Sequence, residues 1–371
     1  MKKLSEDARQ RLIRVSQKRL VRERTRIIRR KAKRLNRHLA LSDRKNFAIL
    51  HDIPFDRNVA RAQIVLPEVF SFRENHLETT AALQAMRQFA LVERRPILLH
   101  FSKISRIDPS AALVLVAEIF RIRNLRTHRA VAGTYPKHRI IYDLLSDMGF
   151  FELLDIQEVF GRPKPDTTGE RSVFLRFHSG NKVDSQTVDR FVGIVEKHIL
   201  PMNAVARGKL VAAIIEAMNN TLDHAHPETV DGQTMPHRWW MSSEISLTRN
   251  EVTILFFDQG VGIPHTLSPD RYDRIRALVT RLSPFPTDGE MIMAATELYR
   301  TSTGQSGRGR GFRNMKQFVD TCSDGELQVL SNRGRYVYMP GTDTYGDESL
   351  SIGGTVIEWR FRHSGSVDME E

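Results

Sequence analysis

Apolar and polar positions change period several times along the chain, and each change marks an element. In "LVAAIIEAMNNTLDHA", Leu210 to Ala225, the apolar side chains Val211, Ile214, Ile215, Met218 and Leu222 recur at helical spacing. Glu216, Asn220 and Asp223 stand at offsets of four and seven and share the opposite stripe. The segment therefore reads as an amphipathic helix. Every such helix needs a solvated face, so this stripe is a wet surface unless the rest of the chain gives it work.

Upstream, from about Asn58 to Val159, strand-like and helix-like patterns alternate. "QIVLP", "PILLHFS" and "AVAGTY" read as strands. "ENHLETTAALQAMRQFAL", "DPSAALVLVAEIFRIRN" and "PKHRIIYDLLSDMGF" read as helices. Alternation of this kind predicts an α/β domain over residues 58–160. At the start of its second helix Asp108 is placed to cap and Pro109 to occupy the first helical position. "GRPKPDTTGER", residues 161–171, is rich in Gly, Pro and Thr and reads as a linker.

The second half mixes the two periods differently. A strand ("SVFLRF") and a helix ("SQTVDRFVGIVEKHIL") precede Pro201 and the striped helix. "WWMSSEISLTRNEVTILFFDQG" reads as two strands joined at "TRN", and "FRNMKQFVDTC" as a helix. "GELQVLSN", "GRYVYMP" and "GGTVIEWRF" close the chain as strands. This half is α+β, and no internal repeat is present.

Composition sharpens one point. The net charge of +12 is concentrated: residues 1–45 hold 18 Lys and Arg against four acids, a balance of +14, so the remainder carries about −2. Ile13, Leu20, Ile27 and Leu35 give this arm (residues 1–57, with its linker) a thin helical seam. Two readings stand side by side: contact with nucleic acid or another polyanion, or a solvated helix seated on its own body or on a second copy as a homodimer. No aromatics interleave with the basic residues, so base stacking has no platform. No run of about 18 apolar residues occurs, so no transmembrane segment is expected. A charged N-terminus and the lone Cys322 point to a cytoplasmic protein without internal disulfides. His224 and His226 lack a zinc spacing and a third ligand.

Four short motifs then stand in order: Glu216-x-x-x-Asn220-x-x-Asp223, "DQGVGI", "GRGRGF" and "GGT". Successive glycines that open a helix expose N–H groups suited to phosphate. The Walker A spacing is absent, since Gly208 and Lys209 are followed by Leu210. The set resembles the N, G1, G2 and G3 boxes of the GHKL superfamily of ATP-binding domains, which includes gyrase, heat-shock chaperone ATPases, sensor histidine kinases and anti-sigma-factor serine kinases. The resemblance implies a Bergerat-type α/β sandwich over residues 172–364, with 365–371 as a tail. It implies ATP and Mg2+ as cofactors, Asn220 as the metal ligand, and Glu216 as the base that polarises water or a serine hydroxyl. On the same resemblance Asp223 is expected near the nucleotide, Asp258 to bond the adenine amino group with support from Thr355, and Gly260 and Gly262 to let backbone approach the base. The resemblance also implies that Gly307, Gly309 and Gly311 would face the triphosphate, while Arg308 and Arg310 depart from the small or apolar residues often found between these glycines. Residues between Pro264 and Ser306, with Arg300, Thr301 and Ser302 at their end, correspond to the ATP lid.

"ILLHFSKISRIDPSAALVLVAEIF" is similar to the STAS fold of anti-sigma-factor antagonists. The tetrad Asp108-Pro109-Ser110-Ala111 stands where that family has Asp-Ser-Ser-Gly, so Ser110 matches the phosphoacceptor while Pro109 and Ala111 depart from the pattern. The two resemblances together imply a partner-switching regulator with a protein partner. Its ATP site would serve serine-kinase-type transfer or hydrolysis. No phosphoacceptor His in sensor-kinase surroundings precedes the striped helix, so histidine kinase activity is not expected. The alternative is an ATP-gated binding module without turnover, whose basic arm engages a polyanion.

Overall fold

The computed structural model describes residues 47–48, 61–156, 172–198, 202–223, 225, 238–266, 286–301, 311–322 and 324–362. The basic arm and its linker apart from residues 47–48, together with His224 and His226, lie outside them, as do Gly307 to Arg310 and most of the segment matched to the lid.

The first module follows the predicted alternation. Its strands are β1 (Phe47–Ala48), β2 (Ala62–Val65), β3 (Val69–Phe70), β4 (Ile97–His100), β5 (Arg106–Ile107) and β6 (Val131–Thr134). Its helices are α1 (His76–Arg87), prolonged by a π-helical turn at Gln88–Val92, α2 (Pro109–Leu125), α3 (Arg139–Asp147) and α4 (Phe150–Leu153). Strands β2, β4 and β6 are parallel, joined through α1 and α2, in the order β1-β6-β4-β2. The short β3 and β5 pair separately.

The second module is a seven-stranded antiparallel sheet. In chain order its elements are β7 (Ser172–Gly180), α5 (Ser185–His198), α6 (Ala204–Asp223), β8 (Trp239–Ser246) and β9 (Glu251–Asp258). α7 (Asp288–Thr301), α8 (Gly311–Val319), β10 (Glu326–Ser331), β11 (Gly334–Met339), β12 (Thr342–Asp347) and β13 (Thr355–Arg362) follow. The strand order is β12-β11-β10-β13-β9-β8-β7. Asp184 caps α5 through the Thr187 N–H at 3.1 Å, and Asn203 caps α6 through the Ala206 N–H at 2.9 Å.

Both faces of the central strands β8, β9, β13 and β10 are covered, and the strand alternation sorts side chains between them. Trp239, Met241, Ile254, Phe256, Ile357 and Trp359 point to the helices of their own module. Trp240, Leu255, Phe257, Leu330 and Val356 point the other way and join the core of the first module. There α2 lies against β8 and β9, and Phe120 meets Trp240 edge-on with ring centroids 5.1 Å apart. The continuous apolar runs "ILFF" and "WWM" exist because β8 and β9 are buried on both faces.

Three sequence expectations change in detail. The buried stripe of α6 runs through Ala206, Leu210, Ala213, Ile214, Ala217, Met218 and Thr221. Val211 and Ile215 are only half-buried at its flank, because small residues let α6 sit closer to its neighbours. β12, "TDTYGD", was not legible as a strand; all six residues are exposed, and hairpin pairing with β11 around Pro340–Gly341 holds it in place. Asp108 occupies the N-cap position of α2 but makes no side-chain cap bond. Its carboxylate instead accepts from the buried Ser71 hydroxyl.

Candidate functional site

At one end of the large sheet, β9 stops at Asp258 and β13 starts at Thr355, directly opposite each other in register. Asp258 is 6% exposed, and its carboxylate accepts the Gly260 N–H at 2.8 Å. Burial pushes its pKa up to about 7, and the Gly260 bond only partly opposes that. Thr355 is also buried, and its hydroxyl lies 3.0 Å from that of Ser331. Ser331 Oγ additionally accepts the Ile263 N–H at 2.8 Å, tying the turn after β9 to the end of β10.

Close backbone approach explains the glycines. A Cβ on Gly260 would stand 2.5 Å from the Ala225 carbonyl oxygen, and Gly262 has φ +87° with the Asn332 carboxamide against it. Asn332 Nδ2 in turn donates to the Val261 carbonyl at 2.9 Å. Gly354, at φ +132°, lies against the Asp258 carbonyl.

The striped helix arrives at the same place. The Val261 N–H donates to Ala225 O at 2.8 Å, and the Ala225 N–H to Asn220 O at 3.1 Å, so the end of α6 is bonded to the turn that follows Asp258. Glu216 and Asn220 are half-buried on α6, and Asp223 is exposed. Burial first, and the charge of Asp223 second, raise the pKa of Glu216 above the usual glutamate value. Gly311 is the first residue of α8, which packs along α6. Asp258, Gly260, Gly262 and Thr355 thus share one sheet end with the C-terminal end of α6, which carries Asn220 and Asp223, while Glu216 stands one turn before Asn220 on the same helix and Gly311 opens the helix packed along it. Gly307 and Gly309 fall outside the described residues.

Ser110 sits elsewhere, in the first turn of α2, and is 4% exposed. The charges that act on its neighbour Asp108 include Glu358, Arg73 and Arg360, which places this helix end close to β13. The sequence reading missed Ser331, a small residue at a strand end that no motif marks. It also missed Asn332, whose φ of +54° was hinted at only by the Asn before Arg333-Gly334 in the turn.

The chemistry of this donor set suits an adenine nucleotide. A buried carboxylate held near neutrality needs a donor, which an exocyclic amine supplies, and the Thr355 hydroxyl lies beside it. Asn220 offers a neutral amide oxygen of the hard type that Mg2+ takes in addition to phosphate oxygens.

No helix among the described residues is long and apolar enough to cross a membrane. No curated protein matches the chain. Residues 206–364 match the family described as histidine kinase-, DNA gyrase B- and HSP90-like ATPase. The match leaves out residues 58–160, whose likeness to STAS domains rests on sequence pattern alone. It runs from α6 through Asp258 to β13, the same elements that build the sheet-end site, and implies ATP binding and ATPase- or kinase-type activity. Residues 206–364 are therefore similar, as a domain, to ATPases of the histidine kinase, DNA gyrase B and HSP90 type.

Proposed function

We propose that the protein is an ATP-dependent regulator in which the site at the end of the β9–β13 sheet binds Mg-ATP for transfer of the terminal phosphoryl group to a protein serine or to water. The observation that supports this reading is the bonding of the C-terminal end of α6, the helix that carries Glu216, Asn220 and Asp223, through Ala225 to the turn after Asp258. Asp258 and Thr355 hold the adenine, Asn220 holds the Mg2+, and the glycine turns keep side chains out of the way. Bound Mg-ATP supplies an activated phosphoryl group with its charge partly neutralised. Glu216 contributes the base: its raised pKa makes it a better proton acceptor than an ordinary glutamate, for the hydrogen of water or of a serine hydroxyl. Purified protein given radiolabelled ATP should yield free phosphate or labelled protein. Glu216→Ala should abolish both while nucleotide still binds; turnover equal to wild type removes the catalytic role.

The STAS-like module, residues 58–160, is the regulatory half of this proposal, in the manner of partner switching. Ser110 as acceptor requires the packing around the first turn of α2 to open, since its hydroxyl is buried in the docked form. A second reading has its own support in the charge of +14 concentrated in residues 1–45. ATP would then gate a binding surface without turnover while the arm engages nucleic acid or another polyanion. Salt-sensitive nucleic-acid binding that vanishes on deletion of residues 1–45 would favour it; unchanged binding after the deletion would rule it out.

A further inference from the structure

Both strands of the proposed adenine subsite are gripped by the first module. On α2, Glu118 is fully buried and accepts from three donors: Arg121 at 2.8 Å, Arg87 at 3.0 Å and the Gln259 amide at 2.9 Å. Gln259 directly follows Asp258. On the other strand, side chains of α1 bond successive carbonyls of the segment that leads into Gly353, Gly354 and Thr355. His76 Nε2 donates to Leu350 O at 3.1 Å, Gln84 Nε2 to Ser351 O at 2.9 Å, and Arg87 to Ile352 O. Arg87 therefore bridges the two strands, with one end on the Ile352 carbonyl and the Glu118 carboxylate beside it. Gly353 has φ +69° and lies directly against the Arg87 guanidinium, leaving no room for a Cβ.

Such an arrangement is expensive unless it is complete. A fully buried carboxylate is tolerated because two guanidiniums and an amide satisfy it, and removing its charge weakens the acceptor that α1, α2 and Gln259 share. The two turns that present Asp258 and Thr355 are thereby fixed by residues more than 130 positions away in sequence, on helices of another module.

We infer that the first module is a built-in regulator of the nucleotide site, with Glu118, Arg87 and Gln84 acting as positioning residues for the adenine subsite, so that docking of the module sets both affinity and base selectivity for the nucleotide. The inference rests on the ATP reading above and goes beyond it by naming what controls the site. Coupling between binding events is reciprocal, so nucleotide must also tighten the docking of α1 and α2.

The test uses the full chain. Calorimetry with ATP and with GTP gives an affinity ratio for wild type, Gln84→Ala and Glu118→Gln, each checked for folding by its unfolding profile. Hydrogen exchange of the α1 and α2 amides of wild type is followed with and without saturating ATP. The expected result is an ATP affinity about tenfold weaker in the variants, with GTP affected less, so that the ratio falls. Slower exchange in α1 and α2 should accompany ATP in wild type. A merely structural role would lower stability without moving the ratio. If Glu118→Gln does not fold, Gln84→Ala and the wild-type exchange data decide. Tight, selective ATP binding with an unchanged ratio in the variants and unchanged exchange overturns the inference and leaves the ATP reading intact. Failure of wild type to bind ATP overturns both.

Discussion

Replacing Asp258 by Asn probes the site through stability rather than activity. In the folded protein without nucleotide the carboxyl titrates near 7, against an ordinary value of 3.8. Between those values the folded state holds a proton that the unfolded state has released, so stability falls as pH rises through the window and is flat on either side. At 1.36 kcal/mol per pH unit, the span from 3.8 to about 7 amounts to about 4 kcal/mol lost by pH 8. Asn keeps an oxygen that can accept the Gly260 N–H but cannot ionise, so Asp258→Asn should be more stable than wild type at pH 8 and nearly equal at pH 4. Urea unfolding at several pH values, followed by tryptophan fluorescence, is well placed to read this. All three tryptophans, Trp239, Trp240 and Trp359, are buried in the large sheet, and Trp239 pairs with Asp258 in register. The same variant should lose nucleotide affinity, so stability and binding would move in opposite directions. Parallel stability–pH curves for the two proteins between pH 4 and 8 would refute the argument.

Two further outcomes follow from the same geometry. Asp223→Asn removes the smaller of the two causes that raise the Glu216 pKa, so the acid limb of kcat/KM should move to lower pH. Because Asp223 is exposed, that displacement should shrink as salt is added; a limb that stays put at low salt contradicts the assignment. Ser331→Ala leaves the Ile263 N–H and the Thr355 hydroxyl without their partner, which should cost about 1–3 kcal/mol of stability and weaken ATP more than a bare triphosphate. Thermal unfolding and competition with tripolyphosphate check both halves.

Local periodicity was enough to locate the long helices and the core strands, because burial imposes period 3.6 or 2 on the sequence wherever one face meets solvent. It failed where that contrast is missing. β12 has six exposed residues and is held only by its hairpin neighbour, so no apolar signal marks it. The α6 stripe was rotated because Ala213, Ala217 and Thr221, not Val211 and Leu222, carry the close packing. Three of the four motifs fall on described residues around the Asp258 end of the sheet, and each uses residue types with few substitutes: glycine at positive φ, an acid at a strand end, an amide on a helix; Gly307 to Arg310 of the other motif lie outside the described residues. The supports of the site were not legible. Glu118, Arg87 and Arg73 look in sequence like ordinary surface charges, yet Glu118 is sealed in the contact between modules, and Arg73 pairs with Glu326 and Glu358 across it. A single sequence reveals that "ILFF" is buried, but not that a second module is what buries it.

The central claim is that Asp258 anchors a nucleotide at the end of the β9–β13 sheet. Titration of the full chain with Mg-ATP by calorimetry tests it most directly, repeated with Asp258→Ala. Saturable one-to-one binding by wild type that disappears in Asp258→Ala is the predicted result. Absence of binding in wild type, or equal binding in the variant, would contradict it.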